Sequence, residues 1–249
     1  MTTTITTSRQ RLQLPLPQRN WRPKFPGDDL NETVYMLEDF LGGNILGTVN
    51  PAQWNNGGTG GSGFLASDLS LDNTNGVWVL TCASSTKTTE RWLNMASMMF
   101  DGRQNITITW RCKISATTNT LCEAGMSINS AGGTGLDPDR MDCICWLYDT
   151  SVNPSTNWQV LARWNYNTTY VDTGVAADTN WHEFGLTITT SLVIPTLDGV
   201  PFAPITTNTP VSATAPEGSL APYIFITNIG KNERRLFADY CEVYCAREI

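Results

Sequence analysis

The stretch NITITWRCKIS at residues 105–115 decides the fold, because apolar and polar side chains alternate along its whole length. Successive side chains of a β-strand point to opposite faces of a sheet. The apolar set of this stretch, which shares one face, is Ile106, Ile108, Trp110, Cys112 and Ile114. The polar set on the other face is Thr107, Thr109, Arg111 and Lys113. The pattern predicts a strand with one face in a core.

Further strands are predicted on both sides of this stretch from the same period of two. Their ranges are 76–82, 121–128, 143–148, 158–164, 181–189, 222–227 and 236–245. No long helical pattern lies between them, which favours antiparallel pairing over parallel units. The Asp198-Gly199 pair between apolar flanks predicts a β-hairpin. We therefore expect an all-β fold, an antiparallel two-sheet sandwich.

Composition and charge exclude several classes of protein. The chain has 249 residues, 16 basic and 23 acidic side chains, and 41% hydrophobic residues. The negative charge argues against general nucleic-acid binding, and the apolar content argues against overall disorder. No apolar run approaches the roughly 20 residues that span a bilayer. The N-terminal residues lack a secretory signal pattern, so we expect folding in the cytoplasm with no membrane partner.

Seven cysteines are an odd number, and reduced thiols are expected in that compartment. Neither the Cys143-x-Cys145 pair nor the Cys241-x-x-x-Cys245 pair reproduces a usual zinc spacing. Residues 241 and 245 of one strand lie about 13 Å apart at roughly 3.3 Å per residue, too far for one disulfide or one ion. We predict buried thiols that act as small apolar groups, with no metal and no cofactor.

Residues 1–33 are predicted to form an extended, basic, proline-containing arm ahead of a sandwich domain at 34–249. Residues 1–26 carry five basic side chains and no acidic one, while residues 27–249 carry 11 basic and 23 acidic ones. Prolines favour an extended path, and large apolar side chains supply anchors for a partner. The predicted partner-binding residues are Arg9, Arg11, Leu14, Leu16, Arg19, Trp21, Arg22, Lys24 and Phe25.

Residues 28–41, at the junction of arm and body, are open to two interpretations. Leu30, Val34, Leu37 and Leu41 fit a helical stripe that stops at a glycine pair. The segment 34–41 also fits the first strand of the sandwich, because turn-rich sequence follows it.

The motif order along the body resembles the concanavalin A-like (laminin G-like) jelly roll. The motifs are GVWVL at 76–80, the strand 106–114, the strand 158–164, TGV at 173–175, WHEF at 181–184, LDG at 197–199 and FADY at 237–240. The resemblance covers residues 34–246 and is similar in particular to versions in tailed-phage virion proteins. It implies a jelly-roll sandwich, and its motifs concern packing and turns rather than catalysis.

Some members of this family are laminarinase-like glycoside hydrolases, in which the active strand carries the pattern Glu-x-Asp-x-x-Glu. That pattern is absent here, and Glu123 is followed by Ala124 and Gly125. A retaining hydrolase needs two carboxyl groups about 5 Å apart. The sequence therefore favours a protein that is not an enzyme.

Four other features are candidate sites. His182 is the single histidine, and we expect a strand-face histidine satisfied by backbone or water. The loop 132–139 has two aspartates that fit either a calcium ligand set or an exposed Asp-Pro turn. Tyr166 and Tyr170 are candidates for stacking on a glycan. Trp158 and Trp164 share a face with Val160 and are expected in the core.

Together these features predict a non-enzymatic phage structural protein, a capsid decoration or cement protein located in the virion and assembled in the host cytoplasm. Its arm would bind the major capsid protein or another virion protein, and a homotrimer is the expected assembly. The alternative is a carbohydrate-binding head-fibre or tail module that recognises host glycans. A polysaccharide hydrolase or lyase is a third hypothesis.

Overall fold

The structure is a computed structural model. It describes residues 33–38, 54–58, 69–72, 77–82, 89–95, 100–101, 104–127, 143–151, 154–164, 167–189, 191–206 and 219–246. The predicted arm, the loop 132–139 and Tyr166 lie outside these residues.

The secondary structure of the described residues consists of β-strands and their connections. In chain order the strands are β1 Thr33–Glu38, β2 Trp54–Gly57, β3 Leu69–Asp72, β4 Val77–Cys82, β5 Thr89–Met95, β6 Phe100–Asp101, β7 Ile106–Ile114, β8 Thr120–Ser127, β9 Cys143–Asp149, β10 Asn157–Trp164, β11 Asn167–Ala176, β12 His182–Ile188, β13 Val193–Leu197, β14 Val200–Pro201, β15 Ser219–Asn228 and β16 Arg234–Ala246.

The strands form two antiparallel sheets, as the sequence predicts. Sheet I has the order β14-β13-β12-β7-β16-β4-β3, and β1 also pairs with β16. Sheet II has the order β11-β10-β9-β8-β15-β5-β2, and β6 also pairs with β15. Neighbouring strands are often far apart in sequence, as are β8 and β15 in sheet II and β7 and β16 in sheet I, so long-range pairing builds both sheets.

The core lies between the two sheets and confirms the predicted alternation of β7. The apolar side chains of β7, at every second position from Ile106 to Ile114, belong to the main buried cluster. Trp158, Val160 and Ala162 of β10 face the same core from sheet II, as predicted. The polar set of β7 lies on the opposite face of sheet I, where Arg111 and Lys113 are half-buried. Burial of the inner face of β7 therefore helps to set its register in sheet I.

The predicted hairpin joins β13 to β14 through Asp198 and Gly199. Both residues have positive φ, 50° and 79°. A two-residue turn with positive φ at both positions matches the right-handed twist of the flanking strands. Glycine takes this backbone conformation without steric cost, and aspartate tolerates it better than most residues.

Residues 28–41 had two interpretations, a helix or a strand, and six of these residues form the strand β1. It pairs with β16 from Thr33–Ala246 to Glu38–Cys241.

The alternation rule missed β11, whose sequence NTTYVDTGVA is rich in threonine. It is an edge strand, and its exposed positions have no need of apolar side chains. Among the described residues, no helix has the length and apolar character needed to cross a bilayer.

Candidate functional site

The outer face of sheet II, which is the face turned away from sheet I, carries an unusual set of buried side chains. A second apolar cluster lies on it, separate from the core between the sheets. Its members come from alternate positions of β8, β9, β10 and β15 and are Leu121, Cys143, Cys145, Leu147, Leu161, Tyr223 and Phe225. Polar and charged side chains are set among them in register.

Glu123 occupies the centre of this face. Its neighbours in the same row are Phe225 on β15 and Leu147 on β9. The carboxyl group is buried, with 4% of the residue exposed, and its Oε2 accepts a hydrogen bond of 2.8 Å from the hydroxyl of Tyr223. Tyr223 is fully buried, and burial raises the pKa of its phenol well above the ordinary value. The phenol therefore stays protonated and acts as the donor.

Asp149 brings a second buried carboxyl group to the same face. It pairs with Leu121 across β8 and β9, so it lies diagonally from Glu123. Diagonal neighbours on adjacent strands have Cα atoms roughly 7–8 Å apart. Asp149 is 3% exposed, and its Oδ1 accepts hydrogen bonds from the backbone N–H of Ser151 at 2.6 Å and the Ser151 hydroxyl at 2.8 Å. These bonds hold the carboxyl group in place.

Arg163 places a buried cation one strand further along, opposite Cys143. The residue is 4% exposed, and its Nε donates to Thr168 Oγ1 at 3.2 Å. Burial acts to lower the pKa of this guanidinium, but the negative charges that Cys143, Glu123 and Tyr170 can carry outweigh burial and raise it. Within the part of the chain that the structure describes, its NH1 has no hydrogen-bond partner. Arg163 thus keeps its charge, and its NH1 donor is unpaired among the described residues.

Other polar groups complete the face. Ser127 lies in the row of Cys143 and Arg163, and Gln159 lies in the row of Glu123. Neither the Ser127 hydroxyl nor the indole N–H of Trp92 has a hydrogen-bond partner among the described residues. Buried polar groups are normally satisfied, so these two donors are candidate contacts for a ligand, an ion or water. Paired donors and acceptors beside aromatic rings suit a ligand rich in hydroxyl groups.

Tyr170, a predicted glycan contact, lies on β11 in the row that contains Leu161, Cys145 and Tyr223. It is 39% exposed, so it stands at the solvent end of this face. Burial raises the pKa of its phenol, and the positive charge of Arg163 together with a hydrogen bond to it partly offsets this shift. The structure therefore joins Tyr170 to the buried polar groups.

The thiols confirm the prediction of buried apolar cysteines. All seven are free and buried. Burial raises the pKa of Cys112 and Cys145 well above the ordinary value, so these thiols stay protonated. Among the described residues, no group of three His, Cys, Asp or Glu side chains is placed to hold a metal ion.

His182 differs from its prediction, because its partners are carboxylates rather than backbone or water. Its Nδ1 lies 2.7 Å from Asp198 Oδ2, and its Nε2 lies 2.9 Å from Asp178 Oδ1. Burial acts to lower the pKa of the imidazole, but the hydrogen bonds to Asp198 and Asp178 outweigh burial and raise it. The ring contacts Trp158 and Phe184 at centroid distances of 5.9 and 5.8 Å. The residue joins the β13–β14 hairpin to the connection before β12.

Sequence reasoning missed the carboxyl pair and the buried arginine. Glu123 has no carboxyl neighbour in its own strand, and Asp149 reaches it only through the pairing of β8 with β9. The available signal was a charged residue inside an otherwise apolar or small-residue strand, as in TLCEAGMS and NWQVLARW. Charged residues are almost never fully buried without a specific reason. The predicted arm contacts, Tyr166 and the side chain of Trp164 lie outside the described residues.

Comparison with known proteins identifies the fold. No protein-family model matches the chain, and no curated protein matches it in sequence. An immunostimulatory antigen and pseudo β-1,3-glucanase of Mycobacterium tuberculosis matches with a TM-score of 0.62 and 14% identity, over 85% of this chain and 98% of that one. A family 16 glycoside hydrolase of Bacteroides ovatus, solved with a mixed-linkage glucan product, gives 0.58 and 11%, over 84% and 99%. A prokaryotic β-1,3-1,4-glucanase (lichenase) from a mouse hindgut metagenome gives 0.57 and 14%, over 84% and 98%.

These matches confirm the concanavalin A-like jelly-roll sandwich. They also show that two predictions are wrong. The matched structures named here are described as a pseudo β-1,3-glucanase, a glucanase and a glycoside hydrolase, which contradicts both the capsid decoration protein and the statement that the chain is not an enzyme. The prediction of a non-enzyme relied on the absence of the linear motif Glu-x-Asp-x-x-Glu. Carboxyl groups from different strands can also lie close together. The homotrimer and the virion location stay predictions.

Proposed function

We propose that this protein binds a β-linked polysaccharide on the outer face of sheet II, with Tyr170 at the solvent end of the site. The observation that carries the proposal is the buried arrangement of Glu123, Tyr223, Arg163 and Gln159 in register beside Tyr170. Carboxylate, phenol, guanidinium and amide groups are the partners that sugar hydroxyls require. The likeness to glucanase structures supports the choice of β-linked glucans as first ligands.

The decisive experiment measures binding of the purified chain to soluble β-1,3-, β-1,4- and mixed-linkage glucans by calorimetry. Tyr170→Ala should weaken binding at least about fivefold, since contact residues of this kind contribute more than about 1 kcal/mol. Tyr244→Ala is the matched control, because Tyr244 is a half-buried tyrosine on β16 in sheet I, away from the site. Equal loss in both variants, or no binding to any glycan, would contradict the proposal.

Hydrolysis is a second candidate function, favoured by the two buried carboxyl groups. Glu123 and Asp149 lie diagonally on neighbouring strands, with their side chains on the same face of sheet II. The hypothesis for this diagonal pair is the inverting mechanism, in which the two carboxyl groups lie about 6.5–9.5 Å apart and a water molecule fits beneath the sugar ring. One carboxylic acid would protonate the glycosidic oxygen while the other carboxylate takes a proton from that water. The C1–O bond breaks and the new C1–OH bond forms on the opposite face.

Reducing-sugar release from the same glucans tests this candidate. Glu123→Gln and Asp149→Asn should each lower the rate about a hundredfold or more, as expected for loss of a general acid or base. Asp172→Asn is the matched control, because Asp172 is an exposed aspartate in the row of Glu123. Proton NMR of the first product should show the inverted anomer. Retention of configuration, or full activity in both core variants, would exclude this pair as the catalytic carboxyl groups.

A further inference from the structure

Three properties of Arg163 bear on what it can bind. Its residue is 4% exposed, its NH1 has no partner among the described residues, and those residues place no carboxylate in ion-pair contact with it. A buried guanidinium that has no ion-pair partner among its described neighbours carries a substantial desolvation penalty. Its Nε is already used by Thr168, so the side chain is fixed while part of its donor fork stays open. This is the arrangement of a preformed anion contact.

We propose that Arg163 binds the carboxylate of an acidic sugar, so that the polysaccharide taken by the outer face of sheet II contains uronic acid units. The inference rests on the proposed function and names its substrate class. A planar guanidinium matches a carboxylate better than any neutral group, since two parallel N–H donors meet two oxygens. A neutral sugar hydroxyl would satisfy the donor but would leave the charge without a counter-ion.

The neighbours of Arg163 fit a sugar ring that carries this carboxylate. Ser127 lies in the same row, two strands away, at a strand spacing of about 4.8 Å per strand. The buried Ser127 hydroxyl is unpaired among the described residues, so it is available to a ring hydroxyl. Tyr170 bonds to Arg163 and is 39% exposed, which connects the buried cation to solvent at the edge strand. One pyranose unit would therefore span from Arg163 toward Ser127.

The competing anion on the protein itself is Glu123. It lies on β8, two strands from β10 and in a different row, and it already accepts the Tyr223 hydroxyl. The carboxyl group of Glu123 therefore influences Arg163 through space without pairing with it. A ligand carboxylate beside Arg163 would not displace any described ion pair.

The first test compares two tetrasaccharides that differ only at C6, one of β-1,4-linked glucose and one of β-1,4-linked glucuronic acid, with a β-1,3-linked pair run in parallel. The wild-type chain should bind an acidic member about tenfold to a hundredfold more tightly than its neutral partner at low salt. That preference should shrink at 0.5 M sodium chloride, because screening weakens charge–charge attraction. Sodium acetate and free glucuronate are included as competitors.

The second test changes Arg163 itself. Arg163→Met should remove the acidic preference, so that the acidic and neutral members of each pair bind within about threefold of each other, while Arg163→Lys should keep part of the preference without the donor fork. Arg235→Met is the matched control, since Arg235 is exposed and pairs with Glu233 at 2.5 Å on sheet I. If Arg163→Met fails to fold, the comparison of acidic and neutral sugars on the wild-type chain still decides.

The outcomes separate the two proposals. Equal binding of acidic and neutral sugars by the wild-type chain overturns the role of Arg163 and leaves polysaccharide binding intact. Binding of none of the four sugars overturns both. Displacement by acetate as effective as displacement by the acidic tetrasaccharide overturns the sugar assignment, because it shows a general anion contact. Acidic preference that Arg163→Met abolishes and Arg235→Met retains supports the inference.

Discussion

Trp146 of β9 donates its indole N–H to the carbonyl oxygen of Gly185 in β12 at 2.9 Å, across the core from sheet II to sheet I. A second bond runs the opposite way, from the indole of Trp110 in β7 to the carbonyl oxygen of Gly125 in β8 at 3.2 Å. Both tryptophans are almost completely buried. These bonds satisfy polar groups that water cannot reach and fix how the two sheets face each other.

Trp146→Phe should destabilise the protein by about 1–3 kcal/mol, because the Gly185 carbonyl loses its buried donor. The smaller ring adds a packing loss of the same sign. Urea unfolding followed by fluorescence measures the change in free energy of unfolding. Trp181→Phe is the control, since Trp181 is half-buried on the outer side of sheet I, and it should change stability by less than about 1 kcal/mol. A smaller effect at Trp146 than at Trp181 would contradict the role of the inter-sheet bond.

Two glycines should respond differently to alanine for a geometric reason. A Cβ on Gly185 would lie 2.1 Å from Thr196 Oγ1, which is a side-chain atom. A Cβ on Gly125 would lie 2.1 Å from the backbone oxygen of Ile144 and 2.6 Å from the Cα of Cys145. Gly185→Ala should cost about 1–3 kcal/mol, and Thr196→Ala in the same chain should recover much of that loss.

Gly125→Ala should cost more than Gly185→Ala, because no side-chain truncation relieves a clash with the backbone of the next strand. A double-mutant cycle on Gly185 and Thr196, with Gly125→Ala as the reference, measures these differences by chemical denaturation. Additive effects of Gly185→Ala and Thr196→Ala would show that the close contact is not the cause.

His182 should make stability depend on pH. Because hydrogen bonds to Asp198 and Asp178 raise the pKa of His182 in the folded state, its contribution is present below the unfolded value of about 6.5 and is lost as pH rises through the folded pKa. Burial acts to raise the pKa of Asp178, but hydrogen bonds from Asn180 and His182 outweigh burial and lower it. Its contribution is therefore present above about 3.9 and is lost as pH falls through the folded pKa.

The free energy of unfolding of the wild-type chain should thus be highest between about pH 4 and pH 6.5. Urea titrations between pH 4 and pH 10 should show that His182→Gln and Asp198→Asn flatten the decline on the alkaline side. Asp172→Asn is the control, since Asp172 is an exposed aspartate that bonds to Asn157 and Ser155 rather than to a histidine. An unchanged alkaline decline in His182→Gln would assign it to another group.

Removal of residues 1–26 should leave the sandwich folded, because every described strand lies within residues 33–246. Thermal unfolding of the truncated and full chains should give the same midpoint within a few degrees. Removal of residues 1–38 is the informative comparison, since it deletes β1 and leaves the C-terminal half of β16 paired only with β7. That deletion should lower the midpoint clearly. A large loss from the shorter deletion would mean that the basic N-terminal segment is part of the folded body.

The candidate site shows where sequence reasoning stopped. Tyr170 could be proposed as a glycan contact from its residue type alone, because that interpretation does not require knowledge of its neighbours in the fold. Glu123, Asp149 and Arg163 could not be joined, because they come from β8, β9 and β10 and meet only through strand register. Likewise, His182 gave no sign of its two carboxylate partners, which come from the hairpin turn and from the preceding connection.

The sequence by itself determined the all-β fold, the core face of β7, the hairpin at Asp198-Gly199 and the buried character of the cysteines. These are local properties, since side-chain alternation and turn geometry depend on residues that are neighbours in the chain. Only the tertiary structure decided which side chains share the outer face of sheet II. Pairing of β8 with β15 joins residues about a hundred positions apart, as in the bond from Tyr223 to Glu123. No pattern within a single strand encodes that contact.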